Sequence, residues 1–514
     1  MNRMRKHNNI VKIAAVLSLS VLLPGCSEDF INLNNPNQQT TGSFWKTQDD
    51  AVQATNAVYS AMYYDGMYMR LYPWIMDVRA DDCRNTSPWW ITDVSLYNVT
   101  PDNPCYIATW EHAYKGVWRA NQVLENVPNI NMDERLKKRL LAEAKFMRAF
   151  YYYHLVITYR NIPLILKPAH GPQDFYPSQA PEEEVWAQII KDFSEAMADL
   201  PKKEEYGPAD VGRATKGAAA GYLAKSYMFI HQFDKAAPIL KDIIDQKYGS
   251  YALVPNYRDN FTEDNENNEE SLFEVQFDRN VGGTTLGWTG DPAPDWSKTS
   301  GKARTYAPLG FGWGDITPTD WIFNEFQQEL TVNGELDPRM KASMFFDYPG
   351  VTVYGKTWAE AKLPNKCHIR KYLNDDHYPD ETEWRSGINE RVLRYADILL
   401  LYAEALNELG RTSEAYPYIQ QVRDRAQLPN LQDVKPGMTQ QQMRDQIAHE
   451  RALEFCFEAQ RYVDILRWGW YYNNLNTLIN HDPEFAKWVE GREVMAIPPT
   501  EVNINKNLKQ NPGW

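Results

Sequence analysis

Two stretches far apart in the chain, YLAKSYMFIHQFDKAAPIL and YAEALNELGRTSEAYPYIQQV, carry the same spacing of small and large side chains. In the first, Leu223, Ala224, Tyr227, Phe233, Ala236 and Leu240 fall in a helix–turn–helix register of the tetratricopeptide kind. In the second, Tyr402, Ala403, Leu406, Gly410, Ala415, Ile419 and Val422 repeat it. Small residues let two helices approach and large ones fill the gap between them, so the pattern predicts stacked helix pairs. Two degenerate copies also fit two unrelated helical hairpins, and that alternative stays open at this point.

The flanking sequence is helical in period as well. Thr47-x-x-Asp50 is a capping-box pattern that opens a helix with Val52, Thr55, Tyr59 and Met62 on one side. Asn131-x-x-Glu134 predicts another start, ahead of Leu136, Leu140, Ala144, Met147, Tyr151 and Leu155. Pro181 with Glu182, Glu183 and Glu184 suits a third N-terminus, and Pro201 its end. From about residue 250 to 389 the period fades into Gly, Pro, Asp and Trp, with short strand-like pieces at Leu272 to Phe277 and Val351 to Tyr354. A loop region of that length is uncommon and usually functional. The expected fold is therefore mainly α: tetratricopeptide-like helix pairs forming a scaffold, with long loop-rich segments and a few short β-strands. The scaffold is expected mainly over 44–250 and 390–475 of a single domain, 26–514, with loop-rich segments at about 77–108 and 250–389.

The first residues read as a leader. Arg3, Arg5 and Lys6 precede an apolar run from Ile10 to Leu23 that is too short for a ~30 Å bilayer core. Leu23-Pro24-Gly25-Cys26 has the pattern of a lipobox, in which Cys26 becomes the acylated first residue after removal of 1–25. Several acyl chains hold a protein on a membrane where one does so only marginally. Ser27-Glu28-Asp29 looks like an acidic signal for the outer face of an outer membrane. The whole chain carries −14; loss of the leader's four cations leaves about −18, which disfavours nucleic acid and anionic head groups. Cys83, Cys105, Cys367 and Cys456 are too few for a disulfide scaffold, though Cys83 and Cys105 could pair.

Signatures of catalysis are missing or broken. His449-Glu450 resembles a zinc-protease start, but Leu453 occupies the second ligand position. Gly282 to Gly287 has phosphate-loop spacing with Trp288 in place of the Lys, and no Gly-x-Ser-x-Gly elbow occurs. A glycosidase carboxylate pair stays possible in so acidic a chain, yet nothing singles out two acids. No cofactor is expected. The clusters Glu263-Asp264-Glu266 and Asp375-Asp376 with Asp380 and Glu381 could hold Ca²⁺, but lack EF-hand spacing and read better as loop acids.

The positive signal is aromatic. Trp89, Trp90 and Tyr97 in the first loop zone, and Trp288, Trp296, Tyr306 and Trp313 in the second, sit beside Gly, Pro and Asp rather than on a periodic face. Flat rings in loops can stack on the C–H faces of sugars while Arg79, Asp81, Asp82 or Arg84 binds hydroxyls. The competing reading is that large loops need anchors and aromatics supply them.

Four blocks in order resemble the SusD/RagB family of outer-membrane nutrient-binding lipoproteins. They are PNQQTTGSFWKTQDDAVQATNAVYSAM, NNEESLFEVQF, LRYADILLLYAEALNELG, and ERALEFCFEAQRYVDILRWG followed by IPPTEVNINKNLKQNPGW. The resemblance spans nearly the whole mature sequence. It implies a tetratricopeptide-like helical fold and no enzymatic activity. It also implies an oligosaccharide ligand held by aromatics on a loop-rich face, and a SusC-like TonB-dependent transporter on which the protein sits as a lid. Some RagB-type relatives take peptides, so a peptide receptor is the nearest alternative. A surface-anchored glycoside hydrolase is a more distant one, and an adaptor that binds only proteins a third. The charged block Glu450, Arg451, Glu454, Glu458, Arg461, Asp464, Arg467 and Trp468 is read as structural, with Glu458–Arg461 and Asp464–Arg467 at helix-neighbour spacing.

Overall fold

A computed structural model of the chain describes residues 44–87, 92–95, 97, 99–281, 298–364, 366–383 and 385–514. The leader, Cys26, Trp89, Trp90, Trp288 and Trp296 lie outside the described residues. The principal helices are α1 (Gln48–Ser60), α2 (Leu71–Val78), α3 (Pro104–Asn126), α4 (Glu134–Tyr159), α5 (Glu182–Asp199), α6 (Lys216–Phe229) and α7 (Phe233–Ile244). They continue with α8 (Asp320–Glu325), α9 (Tyr395–Glu408), α10 (Thr412–Arg425), α11 (Gln440–Phe455), α12 (Arg461–Arg467), α13 (Trp470–Asn473), α14 (Leu475–His481) and α15 (Pro499–Ile504). No helix among the described residues is long and apolar enough to cross a membrane.

Caps set the helix starts. Thr47 and Asp50 close the expected reciprocal box on α1. The start of α4 differs from expectation: Asp133, not Asn131, is the cap, its carboxylate accepting from Leu136 N at 2.8 Å. Both residue types cap helices, but only Asp133 stands three residues before a free N–H at the true first turn.

Neighbouring helices from α3 to α7 pack one on the next, and α7 then packs on α9, which packs on α10 and α11. The two predicted pairs, α6–α7 and α9–α10, are thus consecutive in space although some 150 residues separate them in sequence. The second half of α4 is buried on all sides, as a helix that is apolar all round must be. Its tyrosine hydroxyls find backbone partners: Tyr151 on Val58 O at 2.7 Å and Tyr152 on Ile165 O at 2.8 Å. Gly116 lets α3 reach that helix, since a Cβ there would lie 2.3 Å from the Tyr151 ring.

The intervening segment leaves and rejoins this ladder through an antiparallel strand pair, β2 (Ser271–Val275) with β4 (Glu390–Arg394). Buried ions weld the junction. Arg394 pairs with Glu270, Glu454 and Glu458; Arg425 with Glu270 and Glu454; Arg339 with Asp337, Glu450 and Glu454. Burial would raise the Glu454 carboxyl, but Arg425, Arg394 and Arg339 outweigh it and hold it down at about 2. Such networks offset their own desolvation rather than adding much stability, and their return is one fixed arrangement of the parts.

The charged block is structural, with one local correction. Asp464 and Arg467 do pair at 2.8 Å. Glu458 and Arg461 do not: Glu458 meets Lys371 and Arg394, and Arg461 meets Asp81. Phe457 and Ala459 take left-handed φ of 63° and 59°, which breaks the helix between them. All four described cysteines are free and buried, so Cys83 and Cys105 are not joined.

Candidate functional site

Three residue pairs bring the two loop zones together. Strand β1 (Cys83–Asn85) runs antiparallel to β3 (Ile316–Pro318), with Cys83 opposite Pro318, Arg84 opposite Thr317 and Asn85 opposite Ile316. The contact extends one residue further, where Thr86 N donates to Asp315 O at 2.9 Å. Trp89 and Trp90 therefore follow within a few residues of a strand that abuts the turn bearing Trp313. The stem of the second zone is tied in at its other end as well: Asp278 N donates to Lys298 O at 2.8 Å, and Gly301 N to Met69 O at 2.8 Å.

At this junction Trp313 is half-buried, and the Arg304 guanidinium stands 5.6 Å from its ring centroid. Trp313 N donates to Arg304 O at 2.9 Å, and Gly314 N to Ala307 O at 2.8 Å, so the turn is folded tightly back on its own helix. Arg304 also donates to Glu381 O at 3.1 Å, while its Nε finds no partner among the described residues. Arg84 is part-exposed and donates to Asp482 at 3.1 Å. A half-exposed indole with the Arg304 guanidinium beside its ring is a surface on which a sugar ring can stack and be hydrogen-bonded. Arg304 was not singled out in the sequence, where it is one cation in a run of mixed character; only its place beside Trp313 marks it.

Five expected site residues take another role, and each is a correction. Tyr306 is fully buried and donates to Asp77 at 2.6 Å. Tyr97 is buried, its hydroxyl 2.7 Å from that of Tyr471 and its face 4.5 Å from the Arg79 guanidinium. Arg79 is buried too and donates to Val94 O and Arg492 O. Asp81 binds Arg461 through both oxygens, at 2.7 and 2.8 Å, and His481 at 2.7 Å. Burial would raise the Asp81 carboxyl, but Arg461 and His481 hold it well below the usual carboxylate range. Asp82 accepts from Phe457 N at 3.1 Å; burial and the charges of Asp77 and Asp81 push its carboxyl up to about 8. These groups bolt the loop stem to the C-terminal helices and offer nothing to a ligand at the surface.

The rejected chemistries can be placed as well. His449 Nδ1 bonds Glu325 at 2.7 Å, and Glu450 is sealed between Arg339 and Arg423. Asp375 pairs with Arg258 and Arg370. No group of three or more His, Cys, Asp or Glu that could hold a metal occurs among the described residues.

A separate apolar groove of about 620 Å³ runs between α3, the segment 163–177 and α15. Its rim exposes Trp118 (57%), Phe175 (58%), Tyr176 (50%) and Ile504 (68%).

Residues 269–514 match the family described as the SusD family, and residues 29–228 match one described as starch-binding and associating with the outer membrane. A SusD-like protein, P2, of Formosa agariphila is 28% identical over 530 residues, spanning 98% of this chain and 99% of its own. The crystal structure of a SusD superfamily protein from Bacteroides vulgatus superposes with a TM-score of 0.80 at 26% identity, covering 92% of this chain and all of the other. A laminarin-binding SusD-like protein superposes with a TM-score of 0.74 at 25% identity, over 91% of this chain and all of the other.

Proposed function

Because the chain belongs to the SusD family of outer-membrane-associated glycan-binding proteins, we propose that it captures oligosaccharide at the cell surface and passes it to a SusC-like transporter. The observation that carries this reading is the β1–β3 pairing, which sets a stem of each aromatic zone side by side, with Trp313 just before β3 and Arg304 against its ring. Trp89, Trp90, Trp288 and Trp313 are the principal stacking residues, with Trp296 as a further candidate and Arg84 and Arg304 as hydroxyl partners. The work is binding: a few stacked rings give capture of roughly 1 μM to 1 mM, or ~4 to 8 kcal/mol. Loose capture suits cargo that must be released into a barrel.

Cys26 carries the acyl anchor, and the protein faces the exterior. The exposed groove at Trp118 and Ile504 supports a protein partner, because contiguous apolar surface of this kind marks interaction sites. Calorimetric titration of a glycan identified on an array tests the reading. The Trp89→Ala, Trp90→Ala, Trp288→Ala, Trp313→Ala variant is expected to lose at least tenfold in affinity, and unchanged affinity would refute the platform. A peptide captured on the same array, with no glycan, would favour the peptide receptor instead.

A further inference from the structure

A second aromatic hollow lies beyond the other end of the β1–β3 ribbon, among α8, α9, α11 and the helices α12 to α14. Its volume is about 800 Å³, within the roughly 300–1,000 Å³ of small-molecule sites. One wall is built of three half-buried indoles, Trp321, Trp468 and Trp470, gathered around the buried guanidinium of Arg461. Its carbon stands 5.1, 5.7 and 5.0 Å from their ring centroids. Asp81 clamps that arginine from behind, and His481, on the same carboxylate, stacks on Trp321 with centroids 4.0 Å apart and planes 9° apart. The rings are fixed before any ligand arrives, which lowers the entropic cost of binding.

The same lining is acidic, and its arginine-paired carboxylates are already neutralised. Glu404 accepts from Arg467 and, at 3.0 Å, from Trp468 Nε1; Glu408 takes both arms of Arg444 at 2.7 and 2.8 Å. Every arginine lining the hollow is thus matched to a carboxylate, Arg461 by Asp81 included, so no unpaired arginine among the described residues faces an anion there. Asp445 adds a further acid. His449 gives Nδ1–H to Glu325, and its Nε2 has no partner among the described residues. Half-buried indoles beside hydrogen-bond acceptors suit a hydroxyl-rich, uncharged ligand, whose C–H faces stack while its O–H groups donate. A uronate or sulfated sugar would bring a negative charge to a lining whose arginines are already paired with carboxylates.

We propose that this hollow is a second carbohydrate site, selective for neutral oligosaccharides. It shares no lining residue with the loop platform and does not depend on it. The test uses the full mature chain labelled with 5-fluorotryptophan, the Trp468 and Trp470 ¹⁹F resonances being assigned from Trp468→Phe and Trp470→Phe. Neutral gluco-, xylo-, manno- and galacto-oligosaccharides are titrated to ~10 mM, with oligogalacturonate as the anionic control. A saturable shift of both resonances by a neutral member is expected, in the wild type and in the chain with four alanines in the loops alike. Gln441→Phe changes an exposed lining residue, so folding is spared, and it is expected to weaken the response at least threefold; Trp470→Ala is expected to abolish it at Trp468. The proposal is overturned if no neutral sugar moves these resonances, if oligogalacturonate moves them equally, or if both variants leave the response unchanged. Because the loop variant is read in parallel, loss of the loop site and loss of this one are distinguishable.

Discussion

Glu454 is the carboxylate on which three arginines converge, and replacing it with Gln isolates what that convergence contributes. The group is fully buried and its carboxyl is held down from 4.5 to about 2. At ~1.4 kcal/mol per pH unit, that is about 3 kcal/mol of folding free energy at neutral pH. Geometry leads to a similar figure. Removing one member of a buried ion pair costs ~3–5 kcal/mol, and here each arginine keeps another carboxylate: Asp337 and Glu450 for Arg339, Glu270 and Glu458 for Arg394, Glu270 for Arg425. None is stranded, so the lower end applies. Because the folded value lies below the unfolded one, the contribution is complete above about pH 4.5 and disappears as the pH falls toward about 2. Urea unfolding of wild type and Glu454→Gln, followed by tryptophan fluorescence at several pH values, is the assay. The gap between them is expected to be about 3 kcal/mol at pH 7, with the m-value unchanged, and to narrow steadily below about pH 4.5. A gap that stays constant down to about pH 3 would refute the electrostatic account and leave only a packing defect.

Three further outcomes are expected. Asp82 has a folded value raised from 3.8 to about 8, so its ionisation makes folding less favourable as pH climbs through that window; Asp82→Asn is expected to gain stability over the wild type by at least ~1 kcal/mol at pH 8, with little gain near pH 4, in the same unfolding assay. Gly116→Ala, which by helix propensity alone would gain ~1 kcal/mol, is expected to lose ~1–3 kcal/mol in thermal or urea unfolding because the new methyl meets the anchored Tyr151 ring. In a Cys26→Ser form, Ellman's reagent is expected to find no reactive thiol in the native protein and all of Cys83, Cys105, Cys367 and Cys456 after denaturation, burial having pushed the Cys367 and Cys456 thiols up to about 12.

The helical ladder was legible in the sequence because its signals are local. The spacing in α6–α7 and α9–α10, the box at Thr47 and the Glu-rich start at Glu182 each lie within a few residues of one another. The misplaced residues have distant partners. Asp81 and Arg461 are 380 positions apart, and Tyr306 and Asp77 are 229 apart, so neither pairing leaves a periodic trace. A charged residue in an irregular segment looks solvated until its counter-ion is located. Glu458 and Arg461 failed for the opposite reason: their spacing is right for a helix, but the chain between them is not helical. The two loop zones were marked by their aromatic content, while the ribbon that joins them could not be read from two strands of three residues each.

The β1–β3 ribbon also has an evolutionary meaning. It works as a socket: three backbone pairings fix residues 83–85 against 316–318, and backbone pairing is largely indifferent to the side chains that the adjoining sequence carries. Tip sequences can therefore diverge without disturbing the mount, as hypervariable loops do on an antibody frame. Exchange of residues 88–91 alone, which leaves Val94 and Tyr97 in their buried places, is the economical way to change what this part of the chain carries.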